Sequence, residues 1–185
     1  MEKTAELQKT KWAIDPMHSE VEFKIKHLMI STVTGSFKKF SGTISNPSED
    51  FNHGDIQFTM DVNSISTNQE GRDKHLKTAD FFDAEKYPEI NFKSTSFKKV
   101  SEHNFTLIGN LTIKNITKSV EVKVEFGGIA KDSQGNLKAG FEVTGKINRK
   151  EFGLTSNSLT DAGGMVLGEE VTILANVQVT KEKDS

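Results

Sequence analysis

The chain has 185 residues, of which 34% are hydrophobic and 27% charged, and its 24 Lys and Arg face 26 Asp and Glu for a formal net charge of -2. That balance argues against nucleic-acid binding, which needs a basic excess to neutralise phosphates. The absence of cysteine excludes disulfide staples, thiolate nucleophiles and thiolate metal ligands.

Residues 1–11 contain no apolar run of signal-peptide character, and no segment is long and apolar enough to span a bilayer as a helix. The expectation is a cytoplasmic protein, or a periplasmic one if a leader has been removed, making at most transient membrane contact. Residues 1–11 read as an extended or disordered tail and residues 12–181 as one domain.

Period-two alternation, which sends alternate side chains to opposite faces of a strand, runs through most of the chain. Residues 12–14 form a short leading strand. In the next one, Val21, Phe23, Ile25, His27 and Met29 share one face while Glu20, Glu22, Lys24 and Lys26 take the other. Over 35–44 Phe37 and Phe40 fall out of phase, which predicts a bulge. Alternation resumes with Ile56, Phe58, Met60 and Val62, and continues with Ile90, Phe92, Ser94 and Ser96. Phe105, Leu107, Gly109, Leu111 and Ile113 follow, then Val120, Val122, Val124 and Phe126 between acidic and basic residues. The last two strands carry Leu137, Ala139, Phe141, Val143, Gly145 and Ile147, and then Val171, Ile173, Ala175, Val177 and Val179. Strands with one wet face are incompatible with a buried parallel sheet. About eight of them joined by polar turns predict an all-β fold, an eight-stranded antiparallel up-and-down barrel whose closure removes exposed edges.

Residues 67–88 interrupt the pattern. Thr67-Asn68-Gln69-Glu70 has the spacing of a capping box, so a helix is expected over about 68–77, with a second turn at 80–83. This is a short helical insertion near residues 68–83. Leu76 is almost its one apolar residue, so Leu76, Phe81 and Phe82 must anchor it on the barrel.

Gly109, Gly145, Ala139, Ala175, Ser94 and Ser96 share the phase of bulky neighbours. Either they leave volume unfilled or they accommodate opposing rings; an eight-stranded barrel is just wide enough to be filled by side chains or to hold one small ligand. The candidate lining is Val21, Phe23, Ile25, His27, Met29, Phe37, Phe40, Phe58, Met60, Phe92, Ser94, Leu107, Gly109, Leu111, Val122, Val124, Phe126, Phe141, Val143 and Ile173. The helix offers Arg72, His75 and Lys77 as donors to a ligand head, with Leu76, Phe81 and Phe82 as a lid; the other reading of its charges is a solvated helix with local ion pairs. His27 either meets a ligand head or is satisfied by a neighbouring strand. Arg149 at a strand end either pairs with a carboxylate such as Asp161 or bridges the Phe152-Gly153 turn. No HExxH, G-x-S-x-G or Walker pattern is present, so neither enzyme chemistry nor a metal or other cofactor is expected.

Trp12, Asp15, Pro16, His18 and Ser19, followed by Val21, Phe23, Ile25 and His27, resemble the opening strands of the YceI-like family of lipocalin-like polyisoprenoid-binding proteins. The similarity continues through Gly35 and Phe37, Arg72 to Lys77, Asp80 to Asp83, Pro88 to Phe92, Gly109 to Lys118, Arg149 to Gly153 and Gly168 to Val171. It implies a lipocalin-like barrel with a helix beside the pore. The implied ligand is a hydrophobic small molecule, a polyprenyl chain, isoprenoid quinone or fatty-acid derivative, held in the interior for transport, storage or protection by a monomer or homodimer. The competing expectation is a filled-core stress-response or protein-interaction module with no lipid.

Overall fold

In the computed structural model the alternating strands close into an eight-stranded antiparallel ring, three of whose strands are each broken into two pieces. The structure describes residues 10–28, 30–45, 47–156 and 167–183; Met29, Asp161 and the Gly163-Gly164 turn lie outside them. The elements are β1 (Lys11–Ile14), β2 (Glu20–His27), β3 (Ser31–Phe37), β4 (Phe40–Ser45), β5 (Asp55–Asp61), β6 (Ile65–Ser66), α1 (Glu70–Leu76), β7 (Glu89–Lys99), β8 (Asn104–Ile113), β9 (Ile116–Lys131), β10 (Leu137–Asn148) and β11 (Leu167–Lys181). Neighbours pair in the order β1-β4-β5-β7-β8-β9-β10-β11, and β11 returns to β1. Around the other half of the ring, β11 pairs with β2, β2 with β3 and β3 with β6. Thus β1 with β2, β3 with β4 and β5 with β6 each act as one kinked strand.

The expected bulge at Phe37 and Phe40 is instead a two-residue break between β3 and β4. It is matched to the break between β5 and β6: the Lys38 amide donates to the Ser64 carbonyl at 3.1 Å, and the Asp61 amide to the Lys39 carbonyl at 3.0 Å. Two strands that bend together keep their backbone groups paired. Register shifts lie elsewhere, at Ser94/Ser96, Gly140/Phe141 and Leu167/Val171.

One end of the barrel is plugged by Phe51, which is 1% exposed. Its ring lies 4.9 Å from Trp12, 5.1 Å from Phe141 and 5.5 Å from Phe126. The loop carrying it is tied to β7, where the Lys99 amide donates to Asn52 Oδ1 at 2.9 Å and the His53 amide to the Phe97 carbonyl at 2.9 Å. The opposite end is covered by α1 and the turns after it, with Leu76, Phe81 and Ala84 buried in one cluster with Ile65, Ile90, Phe152 and Leu154.

Helix α1 starts at Glu70, later than the sequence predicts. Asn68 has φ 63°, a left-handed conformation that no helical residue adopts. The cap is therefore Gln69, whose side chain accepts from the Arg72 amide at 2.6 Å. Thr67, buried, turns its hydroxyl to Asp73 and accepts from Arg72 Nε at 2.8 Å, so the expected capping box does not form.

The kink between β1 and β2 is organised by Asp15. Its carboxylate accepts from the Met17 amide at 3.1 Å and from Lys138 Nζ at 3.2 Å, and it contacts His18 Nδ1 at 2.8 Å. Its backbone amide donates to the Gln178 carbonyl at 2.8 Å. The His18 imidazole, with the Lys138 and Met17 donors, holds the carboxyl below its ordinary pKa against a desolvation that pushes the other way. A depressed carboxylate stabilises the fold above its unfolded pKa of about 4. That contribution is lost as the pH falls through the lower folded value. Asp15→Asn is expected to cost about 1 kcal/mol at neutral pH, measured by urea unfolding. The difference from the wild-type protein should shrink below about pH 4; a gap independent of pH overturns the assignment.

Candidate ligand-binding cavity

Closing an alternating sheet turns its apolar face on itself, and the side chains that meet there do not fill the space. Two adjoining chambers remain, one of about 170 Å³ towards the Phe51 plug and one of about 130 Å³ towards α1. Val21, Met60, Leu111 and Ile173 belong to the walls of both. The linings are almost wholly apolar.

Of the sequence-derived candidates, Phe58, Phe92, Leu107, Val122, Val124, Phe141 and Val143 border the plug-end chamber. Phe23, Ile25, Phe37, Leu76, Phe81 and Phe82 border the helix-end chamber. The structure thus brings most of the candidate lining together with the three apolar residues of the helical insertion.

The remaining candidates among the described residues do not border either chamber, for reasons of packing. Phe40 lies against the Phe58 ring at 6.0 Å, and Phe126 is spent on the plug, 5.3 Å from Phe141. Ser94 uses its hydroxyl to accept from the Ile56 amide at 2.8 Å. Gly109 leaves no void: a Cβ there would collide with the Phe92 ring and approach the Lys93 carbonyl oxygen to 2.6 Å. Gly145 receives Val122 in the same way, and Gly35 receives the Phe23 ring. Small residues that do border space are Gly42 and Ala175.

The polar candidates on α1 are also elsewhere. Arg72 is held by Thr67, its Nη2 donating to the Thr67 carbonyl at 2.9 Å. His75 Nε2 lies 3.1 Å from Asp80 Oδ2 with its ring edge-on to Phe81, and Lys77 does not reach the chambers. Arg72 and His75 are thus engaged by partners within their own segment. His27 ends β2 with Nδ1 3.3 Å from Ser31 Oγ, while its buried Nε2 has no partner among the described residues.

The cation at the wall of the helix-end chamber is Arg149, only 3% exposed. Its Nε donates to the Gly168 carbonyl at 2.8 Å, Nη1 to the carbonyls of Leu154 and of Ser156, the latter at 2.7 Å, and Nη2 to Leu167 at 3.3 Å. It ties residues 154–156 to the start of β11. Burial lowers the guanidinium pKa from its ordinary value, and Glu169 opposes that shift. Val33, Ile90, Ile113, Ile147, Val171, Val177 and Val179 also line the chambers and were not among the candidates. Most share the phase that selected their neighbours. Leu154, from a loop, carries no such signal.

Two substitutions check these assignments by chemical unfolding. Gly109→Ala is expected to destabilise by roughly 1–3 kcal/mol through overpacking against Phe92; no change would mean that space exists there. Arg149→Lys is expected to cost about 3 kcal/mol, because one ammonium cannot serve carbonyls on two segments and charged hydrogen bonds are worth ~1.5–3 kcal/mol each. A stability equal to that of the wild-type protein overturns the bridging role.

Among the described residues no group of three or more His, Asp or Glu is arranged to hold a metal ion, and no helix is long and apolar enough to cross a membrane. In comparison with known proteins, a UPF0312 protein of Staphylococcus aureus strain USA300 is 39% identical over 170 residues, covering 91% of this chain and 96% of its own. The crystal structure of a Campylobacter jejuni YCEI protein superimposes with a TM-score of 0.72 at 31% identity, over 100% of both chains. A polyisoprenoid binding domain from Saccharophagus degradans has the same fold at 13% identity, with a TM-score of 0.71 over 92% of this chain and 98% of its own. Residues 12–179 match the model of the YceI-like domain, and with the ring closure and relatives of this similarity the chain belongs to the YceI-like family.

Proposed function

We propose that the protein binds a long isoprenoid or another amphiphilic lipid with its chain inside the barrel, and acts as a carrier or storage protein and not as an enzyme. The observation that carries this reading is the pair of apolar chambers, which adjoin at Val21, Met60, Leu111 and Ile173 and so lie in succession inside the barrel. A chain fits them better than a compact polar substrate, which would lose its hydration against walls with few polar groups to replace it. The Saccharophagus degradans polyisoprenoid binding domain shares the fold, which supports the isoprenoid class. A filled-core interaction module would have no such voids.

Apolar burial suffices for affinity. Each methylene removed from water is worth about 0.8 kcal/mol, so a five-carbon isoprene unit contributes up to ~4 kcal/mol. Ordering and association remove much of this, yet a few units reach the roughly -8 kcal/mol of micromolar binding. No specific head contact is required.

Native mass spectrometry of protein purified without added lipid is expected to show an adduct that is lost on denaturation. The companion test is Ala175→Phe, which pushes a ring from β11 into the plug-end chamber bordered by Ala175. Retinol titrated by fluorescence should bind this variant about tenfold or more weakly, since lost methylene burial is worth ~0.8 kcal/mol per group, while circular dichroism reports an intact β-fold. Unchanged retinol affinity in a folded variant would place the ligand outside the barrel.

A further inference from the structure

Strands β9 and β10 are paired over only part of their length. Their register runs from Leu137↔Lys131 to Thr144↔Lys123 and stops. Yet β10 stays paired with β11 as far as Asn148↔Glu170, and β9 with β8 as far as Ile113↔Ile116. Continuing the register would set Ile147 opposite Val120. Instead the two strands splay and a groove opens on the outside of the wall between them, with Val120 and Ile147 in its lining and Lys118, Glu121, Lys146 and Glu170 around it.

Two side chains of this groove also face inward. Val120 borders the plug-end chamber and Ile147 the helix-end chamber. Here a single layer of half-buried aliphatic side chains separates water from the interior, with no backbone hydrogen bond across it. The two ends of the gap are sealed. Val122 packs into the space over Gly145 at one, and Phe152, 1% exposed, sits at the other.

We propose that this gap is a lateral portal: the chain of an amphiphile with a small uncharged head, such as an alcohol, passes between Val120 and Ile147 while its head stays in the wet outer groove. This rests on the reading of the interior as a lipid site. Access through either end of the barrel demands far more. At the plug it requires withdrawal of Phe51, and at the other end displacement of Leu76 and Phe81, all nearly inaccessible to water. The side route needs rotamer changes of two aliphatic residues. The groove carries both signs, with Lys146 3.6 Å from Glu170 and Lys150 3.2 Å from Glu169. The lining sets two lysines, Lys118 and Lys146, against four carboxylates, Glu121, Glu151, Glu169 and Glu170, an excess of negative charge that suits a hydroxyl head better than an anion.

The chain has no native cysteine, so a double variant, Val120→Cys with Ile147→Cys, can be closed by oxidation or by a short thiol-reactive linker and reopened by reductant in the former case. Stopped-flow fluorescence with retinol is expected to show roughly tenfold or slower uptake by the closed form than by the open form of the same variant, as for a gated site. Retinol loaded before closure should remain bound. Equal uptake rates in the closed and open forms overturn the portal while leaving interior binding intact, whereas failure of retinol to bind the wild-type protein at all sinks the lipid reading as well. A second pair, Val120→Ala with Ile147→Ala, should release retinol several-fold faster than the wild-type protein; an unchanged release rate likewise overturns the portal.

Discussion

Strand β11 is paired along one edge with β10 and along the other first with β2 and then with β1, and this double pairing forces the apolar faces of the strands to look at one another. A backbone group at an open edge must find water or another chain. By joining the last strand to the first, the sheet removes most of that demand. The twist needed to close eight strands is absorbed where β1 meets β2, β3 meets β4 and β5 meets β6. There Asp15, Ser64 and Asp61 satisfy backbone groups that a bend would otherwise strand. Polar side chains with an obvious electrostatic appearance are thus largely spent on geometry.

A ring has two ends, and the chain closes them by different means. The plug end is aromatic: Phe51, on a loop tied to β7, contacts Trp12, Phe126 and Phe141, and the last two also contact each other. The other end is covered by a seven-residue helix that cannot stand alone, since so short a segment is unstable without tertiary contacts. Leu76, Phe81 and Ala84 hold it down. The preference of this chain for Phe over Tyr and Trp follows, because rings turned inward in a dry barrel have no partner for a hydroxyl or an indole N–H.

Strand number, order and the inward face were legible in the sequence because alternation encodes them directly. What alternation does not encode is register, and register decides whether a small residue is a hole or a socket. Gly109 and Gly145 were in phase with their strands, yet Phe92 and Val122 from the neighbouring strands lie over them. Ala175, equally in phase, faces open volume. The start of α1 was misread for a local reason: Thr67 had the right spacing to cap, but Arg72 and Asp73 engage it more strongly. Arg149 was placed at a strand end correctly. Its partners, carbonyls of the loop at 154–156 and of the start of β11, carry no signal in the side-chain pattern.

The unfilled interior is itself informative. At roughly 24 cal/mol per Å³ of void, the 170 Å³ chamber alone costs up to about 4 kcal/mol relative to a packed core of the same fold. Residues that could fill it differ from those present by a few methyl groups; Ala175, Val122, Val143 and Val177 all have larger apolar alternatives. Since a natural domain holds only about 5–15 kcal/mol in total, a sacrifice of that size is not a neutral feature of packing. An apolar chain occupying the space, as proposed, would restore the missing dispersion contacts and recover that cost. On the proposed lipid reading, the hollow core and the aliphatic, unpaired stretch of wall between β9 and β10 are two parts of one arrangement, a volume for the chain and a way into it that leaves both ends folded.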